Sequence, residues 1–317
     1  MKRYLLTLLA ALCLFACPRP PDPITPVPDG GSGGVAATGG TSAAPDAGTP
    51  AGGALALGGG VSTGGQAPAI VTNWPDWDAC SRQLKRAEAP VKRTFGLRRA
   101  PRSRRTVQPW HDTGVVVASA FHPMLVAPLD QGALGACTGF ATAGCLSTWP
   151  FGLKLTNADG KRIYSLATKL DGFSGSYPPT DTGSDGNSAM AAAIQLGLVA
   201  SKTFSHAETL ADMHAGIQFR AGIFGSTWTT EMSKPKPDGY VTIGGDVEGG
   251  HQYAYVGFDK ERGDEVFRNS WGKGYGCDGY FRIRSDNVQT LIDDGADADF
   301  ADVIPANDNA TRAVANN

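Results

Sequence analysis

Cys137 stands in "DQGALGACTGFATAG", residues 130–144, a polar, glycine-rich run that becomes helix-forming where the cysteine occurs. A thiol attacks as its thiolate, and at the usual pKa of about 8.5 it is mostly protonated near neutrality. Two devices lower that value: a helix N-terminus, whose exposed N–H groups favour negative charge, and an adjacent imidazolium. Cys137 has the first by position if a helix starts at Thr138. The chain has five histidines, at 111, 122, 206, 214 and 251, to supply the second. His251 directly precedes a clear strand in "GGHQYAYVGFD", whereas His206 and His214 lie in "FSHAETLADMHAG", which reads as surface helix or loop. Asn269 follows in "RNSWGKGYG" at the end of the next strand, where its amide oxygen can accept from one ring nitrogen and keep the other toward sulfur. These residues predict a Cys137 thiolate and a His251 imidazolium oriented by Asn269, with Trp271 covering the histidine–asparagine bond. Acyl transfer also needs a donor for the developing oxyanion. Gln131 can provide it across the Gly132 to Gly135 loop, with the Cys137 backbone N–H as a second donor.

The elements that must hold these groups are readable in outline. Thr138 to Thr148 has helical spacing, with Phe140, Ala141, Gly144, Cys145 and Thr148 on the face of Cys137. Gly139 and Gly144 weaken it, each costing about 1 kcal/mol relative to Ala. A second helix is expected over Ala189 to Leu198, capped by Asn187 or Ser188. "QYAYVGF", "DEVFRNSW" and "GYFRIR" are rich in aromatic and β-branched residues and read as strands. Helices first and strands later is an α+β order, a helical lobe packed on an antiparallel sheet.

Gln131, Gly135, Ala136 and Cys137, then His251, then Asn269 to Gly272 followed by "GYFRI", resemble the papain-like cysteine peptidases, in the chain order Cys, His, Asn. The resemblance covers about residues 120–300 and implies a two-lobed fold with the nucleophile helix in one lobe and a half-barrel sheet in the other. It implies hydrolysis of peptide bonds by a compact bacterial enzyme, with Gly135, Gly183, Gly186, Gly250 and Trp271 near bound substrate. His251 follows Cys137 by 114 residues, less than the roughly 130 to 150 of the papain group, so intervening loops are expected to be trimmed. Leu134 and Thr138 replace the family's flanking cysteine and tryptophan. Residues 73–119 are too short and irregular for a long helical inhibitory pro-region. Two other readings share the residues: an inactive papain-like binding lipoprotein at the surface, and an amidase or transpeptidase acting on cell-wall or isopeptide bonds.

The chain starts "MKRYLLTLLAALCLFAC": a positive n-region, a short apolar stretch and a lipobox-like ending. Residues 1–17 are therefore expected to be a lipoprotein signal, with Cys17 lipidated and the protein on the outer side of a bacterial membrane, ordinary secretion or a retained anchor being the alternatives. Residues 18–72, rich in Gly, Pro and Ala, have little to bury and are expected to be disordered. Such a linker reaches about 40 Å. Between Ser81 and Arg105 ten Lys or Arg face one acid, Glu88. This basic arm, 73–119, could contact anionic lipid or nucleic acid, offer a processing site, act as a short pro-segment, or be merely solvated. A peptidase domain over 120–303 and a flexible tail over 304–317 complete the expected organisation. A net charge of −2 argues against a nucleic-acid binder. Without C-x-x-C or H-x-x-x-H spacing, neither metal nor cofactor is expected. The partners implied are a polypeptide substrate and, through the lipid, a membrane, the protein being a monomer. Cys80, Cys145 and Cys277 leave the disulfide pairing open.

Overall fold

The computed structural model describes residues 74–83, 93–100, 108–109 and 115–302. Cys17 and the proposed signal, linker and tail lie outside the described residues, as does His111. The described residues belong to one unit, Ser62–Asn317. The helices are α1 (Trp77–Gln83), α2 (Cys137–Leu146), α3 (Asn157–Leu170), α4 (Gly186–Gln195), α5 (Leu210–Ile217) and α6 (Ser285–Asp293). The strands are β1 (Gln108–Pro109), β2 (Ala120–Phe121), β3 (Phe204–Ala207), β4 (Gly222–Thr229), β5 (Val247–Asp259), β6 (Asp264–Arg268), β7 (Tyr280–Arg284) and β8 (Asp297–Ala301). They form one sheet in the order β1-β3-β8-β4-β5-β6-β7, with β2 also on β5. All pairings are antiparallel except β1 with β3.

Local chemistry explains where the helices start. Thr156 and Asp159 form a capping box for α3. Asp185, not Asn187 or Ser188, caps α4 by accepting the Ser188 N–H, so this helix begins three residues earlier than the expected Ala189. Helix α2 has no side-chain cap, and all ten of its residues are buried. Its two glycines have a packing reason: a Cβ on Gly139 would collide with the Gly160 carbonyl and Tyr164, and one on Gly144 would press on Met124. Close approach of α3 to α2 thus outweighs the propensity cost.

Apolar side chains gather in two clusters. Phe140, Leu146, Ile163, Tyr164 and Met190 anchor one, around α2, α3 and α4. Phe224, Trp228, Tyr253, Tyr255, Phe267 and Phe281 anchor the other, on the sheet beside α5 and α6. Strand β5 serves both, because successive side chains alternate across a strand: Ala254 and Val256 face the first cluster, Tyr253 and Tyr255 the second. Three outcomes differ from expectation or resolve it. His206 is not in a surface segment but buried on β3, its Nδ1 2.7 Å from Asp299. His214 is on α5, hydrogen-bonded to Glu265 and stacked on Phe258, and these two contacts hold this stretch against the sheet. Cys80 pairs with Cys277, whereas Cys145 is a buried free thiol.

Candidate active site

Cys137 is the first residue of α2, one position earlier than the spacing suggested, and it is fully buried. The backbone N–H groups of Gln252, Gly96 and Thr138 and its own lie close enough to the sulfur to favour its anion. Gln252 follows His251 directly on β5, so the sulfur lies beside that histidine's strand. His251 Nε2 is 2.9 Å from Asn269 Oδ1. The same oxygen accepts the Ser270 backbone N–H at 2.8 Å, which identifies that end of the amide as the acceptor. An amide oxygen only accepts, so the imidazole proton sits on Nε2. Nδ1 is buried and has no hydrogen-bond partner among the described residues, leaving its lone pair available to a thiol. The ring is clamped, stacked on Trp271 at 4.7 Å and met edge-on by Trp228 at 4.8 Å. Asn269 occupies its place because β6 stops at Arg268, one residue short of it.

Gln131 is tied to the same turn. Its backbone N–H donates to the Ser270 carbonyl at 2.9 Å, and its Oε1 accepts the Ser270 hydroxyl at 2.7 Å. That turns Nε2 toward the interior, where it donates to the Leu134 carbonyl at 2.9 Å and to the Thr94 carbonyl at 3.4 Å. Ser270 is thus a positioning residue the spacing argument missed, although it sits inside the Asn-Ser-Trp-Gly motif. Asp181 and Tyr164 were missed as well. Asp181 accepts the Gly135 N–H at 2.7 Å and the Tyr164 hydroxyl, which in turn accepts the Gly183 N–H at 2.9 Å. One carboxylate so joins the loop before Cys137 to the Gly183 wall.

Residues 93–100 of the basic arm lie across this site. Ser184 N–H donates to the Gly96 carbonyl and Arg98 N–H to the Ser184 carbonyl, both at 2.8 Å, while Leu97 N–H donates to the Gly250 carbonyl at 3.0 Å. Phe95 meets His251 and Trp271 edge-on. Arg93 holds Asp130 at 2.6 Å and the Gly132 and Trp271 carbonyls, and Arg99 reaches Thr227 and Asp294. Gly96 passes over the loop before Cys137 so closely that a Cβ there would collide with the Gly135 carbonyl. Of the expected substrate-side residues, Gly135, Gly183, Gly250 and Trp271 all touch this strap, whereas Gly186 sits at the start of α4, against Gln252 and Asp299. With the strap in place, burial works against the expected Cys137–His251 ion pair. Burial pushes the Cys137 thiol up to about 11, against the N–H groups that favour the anion. Burial also drives His251 down to about 4, and the Arg93 charge pushes the same way against the Asn269 bond. Beneath the strap the pair is therefore a neutral thiol and a neutral imidazole at pH 7, because desolvation dominates when water is excluded.

Residues 238–298, which include His251 and Asn269, match the family model described as "Papain family cysteine protease". No curated protein sequence matches the chain. Among solved structures it is similar to xylellain, a cysteine protease from Xylella fastidiosa, with TM-score 0.54 and 17% identity over 69% of this chain and 99% of that one. Procathepsin B S9 from Trypanosoma congolense gives TM-score 0.48 and 14% identity over 64% of this chain and 85% of that one. The fold is papain-like: an α+β architecture of two lobes, with helices against a large antiparallel sheet.

Proposed function

We propose that the chain is a cysteine endopeptidase in which Cys137 attacks a peptide carbonyl, His251 carries the proton and Asn269 orients His251. The observation that carries this reading is the Nε2 bond of His251 to Asn269, which leaves Nδ1 free on the strand whose next N–H favours the Cys137 anion. In the reaction the thiol proton passes to His251, sulfur bonds the carbonyl carbon, and Gln131 with the Cys137 N–H stabilises the oxyanion. His251 then gives its proton to the leaving amine, and water releases the acyl group.

Two features of the strap favour a polypeptide over a cell-wall substrate. It is an extended backbone bonded to the backbone of Gly250 and Ser184, the kind of contact any peptide can repeat. It also continues to either side of Gly96, from Arg93 at Trp271 to Arg99 at Asp294. A substrate chain following the same course would extend to both sides of Cys137, which suits cleavage within a chain. On this reading the protein is a monomer outside the cytoplasm, tethered through lipidated Cys17. Incorporation of an alkyne-labelled fatty acid that disappears in Cys17→Ser checks the tether. The catalytic test is casein cleavage by protein freed of its strap: Cys137→Ala should abolish it with the fold intact, and retained cleavage would sink the assignment.

A further inference from the structure

The strap is held at both ends, and one hold is covalent in an unusual way. On its C-terminal side the chain continues through "PRSRRTV", residues 101–107, to β1 and β2. On its N-terminal side, Cys80 of α1 is bonded to Cys277, in the loop that follows Asn269 and Trp271. Trp77 of α1 packs against Gly239 and under the Arg282 guanidinium, and Trp74 stacks on Phe121 at 5.1 Å. A single cut among Arg102, Arg104 and Arg105 would therefore leave the strap attached through the disulfide. Twelve residues lie between Cys80 and Arg93. A strap retained through so short a covalent link stays at about millimolar effective concentration at the cleft.

We propose that residues 93–100 are an inhibitory strap locked by the Cys80–Cys277 disulfide, so that one cut in 101–107 exposes Cys137 only after a dithiol has reduced that bond. The inference takes what is restrained from the peptidase reading above, but the lock itself can be read without any turnover. The reduction balances simply. The S–S bond breaks, the dithiol supplies two electrons and two protons and leaves as its own cyclic disulfide, and Cys80 and Cys277 become thiols. Once both anchors are gone, only the contacts of α1 and the strap hold the fragment, and dilution removes it.

The test replaces residues 101–107 with the recognition sequence of a site-specific protease in the full chain. Iodoacetamide labelling of Cys137, followed by peptide mass spectrometry, reports whether the strap is seated. Intact protein and protein cut without reductant should both label slowly. After dithiothreitol and its removal, the cut protein should label faster by about tenfold or more, the scale expected when a millimolar tether is lost at micromolar protein. The fragment should then separate on size exclusion. The Cys80→Ser/Cys277→Ser variant should need the cut alone, and if it does not fold, the wild type reduced after folding answers the same question. Gly96→Ala, whose Cβ cannot coexist with the Gly135 carbonyl, should label fast with no cut. Fast labelling of the cut, unreduced wild type would overturn the lock, as would protection that survives cutting plus reduction. Slow labelling of Gly96→Ala would overturn the strap itself. If the released form labels fast yet leaves casein intact, the peptidase reading falls and the lock stands.

Discussion

His251 carries two properties that pull against each other, a fixed tautomer and a buried neutral ring. The Asn269 bond sets the first. In strap-free protein, Asn269→Ala should lower kcat by roughly 100-fold, the low end of what a positioned proton carrier contributes. Cys137 labelling should fall at pH 6, where the thiolate depends on an oriented imidazolium, and hold at pH 9; an equal fall at both values would mean a merely structural role. The neutral ring has a consequence for stability. Folding lowers the His251 value from 6.5 to about 4, so between those values the unfolded chain binds the extra proton. Stability contributed by keeping this ring neutral is present above pH 6.5 and is lost as the pH falls toward 4, by up to about 3 kcal/mol. Urea midpoints of wild type and His251→Gln should accordingly converge on acidification. Parallel curves would show that the ring is hydrated in the folded protein.

Helix α2 shows how an element can be read in the sequence while its reason is not. Its position followed from spacing, and so did the strands that present His251 and Asn269, because apolar periodicity reports which residues are buried. Its glycines looked like defects, since what they make room for comes from distant parts of the chain. At Gly139 a Cβ meets the Gly160 backbone and Tyr164, which cannot retreat, whereas at Gly144 it meets the flexible end of Met124. Overpacking costs about 1–3 kcal/mol and the better helix propensity of Ala returns about 1 kcal/mol. Gly139→Ala should therefore destabilise in urea unfolding, by about 1–2 kcal/mol, while Gly144→Ala should be neutral or slightly stabilising. Equal effects at the two sites would remove the packing account. The strap was illegible for a related reason: Thr94 to Ala100 has no periodicity of its own and takes its extended form from Ser184 and Gly250. Burial of His206 escaped notice likewise, because its partner Asp299 lies 93 residues away. The effect of burial on the thiol and the imidazole was likewise not legible, because it depends on the strap's exclusion of water.

At the scale of the whole molecule, the Cys80–Cys277 bond closes a loop between residues 197 apart, a pairing that the count of cysteines alone left open. Loop-closure entropy for such a separation is worth about 5 kcal/mol in the chain-entropy account, and measured values run below it. Reducing the uncut protein should therefore lower its thermal midpoint by about 10 °C, taking 3–5 kcal/mol and about 2–4 °C per kcal/mol for a domain of this size. Yet in the uncut chain the strap stays joined through residues 101–107, and its bonds to Ser184, Gly250 and Asp130 do not involve the disulfide. Cys137 should then label as slowly after reduction as before, at temperatures below the lowered midpoint. The two readouts must separate: stability follows the disulfide, and access to the sulfur follows the number of anchors left on the strap. A midpoint drop accompanied by fast labelling of uncut protein would mean that the disulfide holds the cleft closed through the fold at large, in which case a cut in the basic link would add nothing to reduction.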